Sequence, residues 1–318
     1  MKRMIVLLMS LLLLAGCAPT QAPAGKTYCT FTDSTGAAVA LSEKPKTVAV
    51  LFSSFAEVWS LAGGKVDITV GESVERGFAA KDAVLVDSGA GKTVNTEELL
   101  AAQPDLVIGS ADIPAQVEAC EAMKRAGIPA ALFRVDNFAD YLTMLRICTQ
   151  ITGNEDAWQR HGVEQERQIK DLLSRVQNHL NSGGAVKQIL FVRAGSSAAS
   201  TKAKRAPENF VCTMLRELGS HNIADEAPVL LDGLSLEHVM LRDPDYIFLS
   251  PMGDEGAAKA QIAELFSQEG WRELTAVQTE NYSFLEKELF HFKPNARWAE
   301  AYRSLAEILY PEIDWYGS

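Results

Sequence analysis

Three cations fall within four residues in the segment TKAKRAPENF, at Lys202, Lys204 and Arg205. The chain has 318 residues and a formal charge of −11, so such a cluster stands out. Ammonium and guanidinium groups at that density suit an anion bearing carboxylates or phenolates, and the planar guanidinium can grip such a group through two parallel hydrogen bonds. A solvated loop is the other reading of the same residues.

Other reactive residue types are arranged less productively. The histidines, His161, His179, His221, His238 and His291, have no spacing for a nucleophilic site, and no GxSxG occurs. None stands between Cys17 and Gln150, which disfavours a bare zinc or manganese site drawing imidazoles from both halves of the chain. The stretch GAGKT at 89–93 lacks the leading glycine of a phosphate loop, because Val86 stands at that position. Cys29, Cys120, Cys148 and Cys212 match no zinc spacing. They could form two disulfides by three connectivities, yet Cys120 and Cys148 fall in amphipathic helical stretches where a buried thiol is usual. Net acidity disfavours nucleic acid as a partner.

The N-terminus reads as a targeting segment. Lys2 and Arg3 precede the apolar run 5–14, and Leu14-Ala15-Gly16-Cys17 closes it with small residues. The run is too short for an ordinary membrane-spanning helix. Removing residues 1–16 takes away Lys2 and Arg3 and moves the formal charge from −11 to −13. The following APTQAPAG suits a flexible tether, 17–27.

The elements that must position these groups alternate strand and helix. TVAVLF, DITVG, DLVIG and PAALFRV read as strands separated by helical stretches at 54–61, 94–103 and 114–126. Asn137 is a helix cap. Helical periodicity then runs to Thr152, breaks at Gly153-Asn154, and resumes to about Asn181, a second piece roughly 39 Å long at 1.5 Å per residue. The alternation restarts with KQILFVR, NFVCTMLRELG, YIFLS, a helix near 256–268, SFLEK and NARWAEAYRSLAEILYP. The length suits two domains. The expected architecture is α/β: two βα sandwich lobes, 28–136 and 185–318, joined by a long rigid helix within 137–184, with a ligand cleft between the lobes.

One stretch occurs twice. VNTEELLAAQPDLVIGS and LSLEHVMLRDPDYIFLS superimpose from Glu97 to Glu237, with Pro104 on Pro244, Asp105 on Asp245 and Ser110 on Ser250. Asn95 and Ser235 read as helix caps, and Ser110 and Ser250 as the carboxyl ends of strands, where open α/β sheets bind ligands.

In combination with the 137–181 helical span, PKTVAVLFSSFAEVWSLAG, the doubled motif and FHFKPNARWAEAYRSLAEILYP resemble the solute-binding lipoproteins of bacterial ABC importers for ferric siderophores, haem and cobalamin. LAGC resembles a bacterial lipobox, which implies cleavage before Cys17, a lipid on its sulfur and an extracytoplasmic, membrane-anchored protein. The resemblance implies a stiff connection between lobes, a permease driven by a cytoplasmic ATPase as partner, and Glu97 and Glu237 as the residues that dock onto it. It implies no catalysis, no resident cofactor or metal beyond that carried by the ligand, and a monomer. The two-lobe geometry expects Phe52, Ser53, Ser54, Phe55, Arg76, Phe78 and Ser110 from the first lobe. From the second it expects Arg193, Lys202, Lys204, Arg205, Ser250, Met252 and the span 287–297 with His291 and Arg297. Trp59 is expected in the core. An anionic ferric siderophore fits the basic loop best, then haem, then the largely neutral cobalamin. A hydrolase or chelatase on this fold lacks a nucleophile motif, and a structural adhesin does not need duplicated lobes.

Overall fold

The structure, a computed structural model, describes residues 27–87 and 93–316. Cys17, the rest of the leader and tether through residue 26, and 89–92 of GAGKT lie outside the described residues. Among those described, no helix is long and apolar enough to cross a membrane.

The chain begins with an antiparallel hairpin of β1 (Cys29–Thr32) and β2 (Ala38–Leu41), which the strand-helix alternation does not foretell. Its turn is built locally. Asp33 Oδ1 accepts from the N–H groups of Thr35 and Ala37 at 2.9 and 3.1 Å, and Gly36 takes φ 83°. There follow β3 (Val48–Val50), α1 (Ser53–Leu61), β4 (Ile68–Thr69), α2 (Gly71–Glu75), β5 (Val84–Leu85), α3 (Thr96–Ala101), β6 (Leu106–Ser110), α4 (Pro114–Arg125) and β7 (Ala130–Phe133). They form a parallel sheet in the order β5-β4-β3-β6-β7.

The link runs through α5 (Phe138–Thr152), capped by Asn137, whose side chain accepts from Asp140 N, and stopped by Gly153 in the left-handed region. After the expected break, α6 (Glu155–Trp158) passes through a π-helical segment, Gln159–Val163, into α7 (Glu164–Asn181). A Cβ at Gly162 would lie 2.7 Å from the Trp158 ring, so only glycine fits that widened turn.

The second lobe comprises β8 (Gln188–Ala194), β9 (Lys202–Ala203), α8 (Phe210–Glu217), β10 (His221–Asn222), α9 (Leu236–Arg242), β11 (Tyr246–Pro251), α10 (Glu255–Ser267), α11 (Thr275–Gln278), β12 (Tyr282–Phe284), α12 (Lys287–Phe290) and α13 (Trp298–Leu309). The strand expected over SFLEK stops at Phe284, and Lys287 already opens α12. The parallel order β10-β8-β11-β12 repeats β4-β3-β6-β7, with β9 added antiparallel to β8.

The doubled stretch has a folding role in each lobe. Gln103 and Asp243, both preceding the motif proline, take positive φ of 46° and 40° and turn the chain out of α3 and α9. The aspartate after each proline then pins the start of the neighbouring strand. Asp105 Oδ2 accepts from Lys46 N and Thr47 N at 2.8 and 2.9 Å, while Asp245 Oδ2 accepts from Gln188 N at 2.7 Å. The caps differ. Asn95 accepts from Glu98 N, but Ser235 makes no capping bond, because its hydroxyl is taken by His238 Nδ1 at 3.0 Å.

Each sheet buries its outer face in a core of its own lobe. The inner faces share a third core, in which Val50, Leu106 and Ile108 of one sheet and Ile189, Phe191 and Phe248 of the other join side chains of α5, α7 and α13. Trp59 belongs to this core, as expected. Cys29, Cys120, Cys148 and Cys212, the cysteines among the described residues, are free; burial raises the thiols of Cys120 and Cys148 to about 12.

The strand clamp is testable. The N–H groups of Thr47 and Lys46 hold the Asp105 carboxyl below its ordinary pKa. Its contribution is therefore full above about pH 4, the unfolded value, and is lost as pH falls through the lowered folded value. Asp105→Ala should lower stability by about 1 kcal/mol at pH 7, with the deficit closing in acid, as read by denaturant unfolding across pH. A deficit that does not change with pH would assign the effect to something other than the charge.

Candidate functional site

In both sheets the direction of strand addition reverses beside the first strand, between β3 and β6 and between β8 and β11, which makes two topological switch points. The first is filled. Gln116 of α4, fully buried, donates to Leu51 O at 2.7 Å and accepts from Ser110 N at 2.8 Å, stitching the ends of β3 and β6 together. Ser110 is buried there, and its hydroxyl accepts from Asp112 N. The second stays open. Arg193 and Ser250 are register partners on β8 and β11, and two adjoining cavities lie beside them.

Strand alternation explains why a cation stands at that place. Ile189 and Phe191 of β8 enter the shared core, and Arg193, next on the same face, lies beyond the core's edge. One cavity, about 220 Å³, is lined by Arg193, Phe210, Ser250, Met252, His291 and Lys293, with Asp136 from the first half of the chain. The second, about 400 Å³, shares Arg193 and Met252 and adds Ser196, Ser200, Lys202 and Lys204. The pairing of β9 with β8 brings the lysines in, setting Lys202 opposite Arg193 while Ala203 enters the core. Among the described residues no carboxylate lies within ion-pairing distance of Arg193, Lys202 or Lys204. The Arg193 guanidinium instead meets Met252 Sδ, a weak acceptor, at 3.0 Å. Such a wall is poised for an anion.

The remaining expected residues divide. Arg205 turns from its neighbours to pair with Glu208 at 3.0 Å and lines neither cavity. Arg297 is likewise held by Glu300 at 2.6 Å and Glu286 at 3.5 Å. Phe55 is buried in the core edge-on to Phe52 and Phe133, with Phe52 half-buried at its margin. Ser53 donates to Glu72 and lies 3.4 Å from Arg76 Nη1. The Ser54 hydroxyl is buried without a partner among the described residues.

Arg76 closes the first lobe's half of the cleft. Its guanidinium lies 4.7 Å from the Phe78 ring and 3.9 Å from the Phe292 ring, and Nη2 meets Glu288 at 3.3 Å across the lobes. A second clasp is Asn295, buried at φ 48°, whose amide donates to Ser54 O at 2.9 Å and Glu57 Oε2 at 2.7 Å. Burial raises the Glu57 carboxyl, with the Asn295 amide opposing. Lys293, 4.9 Å from the Phe210 ring, is pushed down by burial and pulled back by Asp136, Asp112 and Asp140. Phe292, Lys293 and Asn295 fall within the expected span 287–297, but Gln116, Glu57 and Asp136 are additions from the structure. A lone glutamine or glutamate in an amphipathic helix carries no sequence signal of such a role.

Glu97 and Glu237 are exposed in the first turns of α3 and α9 and make no ion pair among the described residues.

With two similar open sheets, helices linking them and a polar cavity at a switch point, the architecture is that of a two-lobed binding protein. Residues 48–289 match the Periplasmic binding protein family, and the chain belongs to it. No curated protein matches the sequence. Among solved structures, Staphylococcus aureus SirA complexed with staphyloferrin B has 18% identity and a TM-score of 0.66, covering 90% of this chain and 98% of that one. The periplasmic heme-binding protein RhuT from Roseiflexus sp. RS-1 has 18% identity and a TM-score of 0.65, covering 85% and 99%. A periplasmic solute binding protein from Veillonella parvula has 17% identity and a TM-score of 0.69, covering 91% and 88%.

The Asn295 clasp yields a prediction. Asn295→Ala leaves the Glu57 carboxylate without its amide and places a Cβ-bearing residue with no local hydrogen bond at positive φ, so stability should fall by about 2 kcal/mol. Asn295→Gly should recover roughly 1 kcal/mol of that by relieving the backbone alone. Glu57 has a raised folded pKa, so the burden of its charge is absent below the unfolded value and appears as pH rises through the folded one. The Ala variant should therefore lose more at pH 7 than at pH 4 in thermal unfolding; equal losses would remove Glu57 from the explanation.

Proposed function

We propose that this chain is the receptor of an ABC importer, that it captures an anionic iron chelate outside the cytoplasmic membrane, and that it hands the chelate to the permease. The observation that carries the reading is the cavity wall of Arg193, Lys202 and Lys204, three cations without carboxylate partners among the described residues of an acidic chain. Family membership and likeness to SirA, complexed with staphyloferrin B, and to the heme-binding protein RhuT support it. A ferric siderophore takes first place, because its carboxylates or phenolates can pair with all three cations; haem, with two carboxylates, comes second. Cobalamin gives those cations least to pair with. The reading further holds that Cys17 carries a lipid anchor, that residues 28–136 and 185–318 act as two lobes about 137–184, that the protein works as a monomer, and that it catalyses nothing.

A thermal-shift panel of ferric siderophores, haemin, cobalamin and zinc chloride tests the ligand class. A true ligand at 100 times its Kd stabilises the fold by about 2.7 kcal/mol. Stabilisation by zinc alone would overturn the reading. Lys202→Ala combined with Lys204→Ala should weaken chelate binding at least tenfold with an unchanged melting temperature, and rising salt should weaken the wild type. Arg205→Ala should bind normally, because Glu208 already occupies that cation.

Docking is separable from capture. Glu97→Gln with Glu237→Gln removes both exposed charges and keeps the side-chain size. The double variant should bind chelate normally and lose transport and ATPase stimulation. Normal uptake would leave helix-dipole stabilisation, about 0.3 to 1 kcal/mol each, as their role.

A further inference from the structure

The two cavities at the open switch point differ in charge. Among the described residues the larger is lined by Arg193, Lys202 and Lys204 and by no carboxylate. The smaller shares Arg193 but adds two carboxylates, Asp136 and Glu208, and one further cation, Lys293. Glu208 is committed to Arg205 at 3.0 Å, and Arg193 stands on the border between the cavities against Met252 Sδ. His291 adds no charge at neutral pH, because burial first, then Lys287 and Arg193, push its imidazole below the ordinary value. The charged groups left to face this space are Asp136 and Lys293.

These two come from different lobes. Asp136 follows β7 and stands exposed at the cavity mouth, while Lys293 follows α12 and is half-buried. Each is the charged group that acts most strongly on the other, yet no ion pair joins them among the described residues. The Asp136 carboxylate accepts no hydrogen bond there; Arg134 Nε approaches it only to 3.9 Å and bonds to Asp112 at 2.6 Å instead. The Lys293 ammonium lies 4.9 Å from the Phe210 ring, and burial disfavours its charge. The cavity of about 220 Å³ has room for about seven waters at ~30 Å³ each, and so for a small polar group. An anion placed there would satisfy Lys293 and leave Asp136 facing a like charge; a cation would do the converse. A group carrying both charges satisfies both walls.

We propose that the smaller cavity takes an α-amino-carboxylate end of the captured chelate, its ammonium on Asp136 and its carboxylate on Lys293, while the anionic iron-bearing head lies in the larger cavity against Arg193, Lys202 and Lys204. The ligand is then a chelate whose organic part keeps a free amino-acid terminus. Because the two partners belong to different lobes, that terminus bridges the cleft. The inference deepens the chelate-receptor reading above and rests on it.

The test is calorimetric titration of the full chain with four ferric bis-catecholates: one bearing a free α-amino-carboxylate, its N-acetyl derivative, its carboxamide, and the same chelate with neither group. Wild-type protein should bind the first at least tenfold more tightly than each of the others. Asp136→Asn should erase the preference over the N-acetyl probe and keep the preference over the carboxamide, and Lys293→Met should do the reverse. Damage to the fold would instead lower all four affinities together. The ranking of the four probes by wild type decides the matter even if a variant does not fold. Equal binding of the zwitterionic probe and the chelate with neither group overturns the inference and leaves the receptor reading standing. A folded variant that keeps both preferences overturns the inference in the same way. Failure of wild type to bind any of the four, or any ferric chelate of the thermal-shift panel, overturns both.

Discussion

Trp298 is the contact on which the geometry of the site depends. It is fully buried at the start of α13, with its ring 5.8 Å from Phe138, 6.3 Å from Tyr141 and 5.7 Å from Phe210. Phe138 and Tyr141 open the linking helical segment, and Phe210 opens α8 of the second lobe. One indole thus joins the second lobe to the connection between the lobes, and each aromatic pair contributes about 0.5 to 1.5 kcal/mol beyond its burial. Phe210 is also the ring beside Lys293, so the same cluster sets the floor of the cavity. Lobes that share a continuous core cannot swing apart as separate bodies without exposing it. Movement on ligand capture is therefore confined to side chains and small tilts.

That constraint makes an asymmetric site out of two similar sheets. Both switch points have the same topology, yet Gln116 satisfies the strand ends in one while Arg193 stands beside a cavity in the other. The buried glutamine meets the polar backbone groups that a closed switch point would otherwise orphan. The first lobe then contributes through Asp136 and through Arg76, whose guanidinium sits against Phe78 and Phe292. An arginine can serve there because its weakly hydrated plane stacks on rings where a lysine ammonium would hold its water.

The regular elements were legible because β8 and β11 are continuous apolar runs, buried on both faces, and the amphipathic helices carry clear periodicity. The β1–β2 hairpin and β9 were not, since they are antiparallel additions outside the strand-helix alternation. The site was legible where a residue type was unusual for its context, as with Lys202 and Lys204, and misleading where a neighbour neutralised it. Arg205 with Glu208 and Arg297 with Glu300 are spaced three residues apart, the separation at which helical side chains meet, so both pairings had a signal in the sequence. Phe55 is the third residue of α1, and the turn of that helix carries it into the core while Phe52, the residue before the helix, stays at the margin. Gln116, Glu57 and Asn295 depend on contacts between distant segments, and no local pattern encodes those.

The doubled stretch separates into parts with different physical causes. The positive-φ residue, proline and aspartate are accounted for within each lobe, where they turn the chain and fasten the neighbouring strand. Leu99 and Val239, one turn earlier, are buried and anchor α3 and α9. The glutamates have no such account, because each is exposed and a helix start needs only one modest favourable charge. Beside them the surface is unusually apolar, with Leu100, Met240 and Leu241 exposed, the last at 77%. Folding disfavours leaving such side chains in water, and solubility disfavours it further. Exposed charge beside exposed apolar side chains, Leu100 on one lobe and Met240 and Leu241 on the other, is a composition that suits contact with another protein.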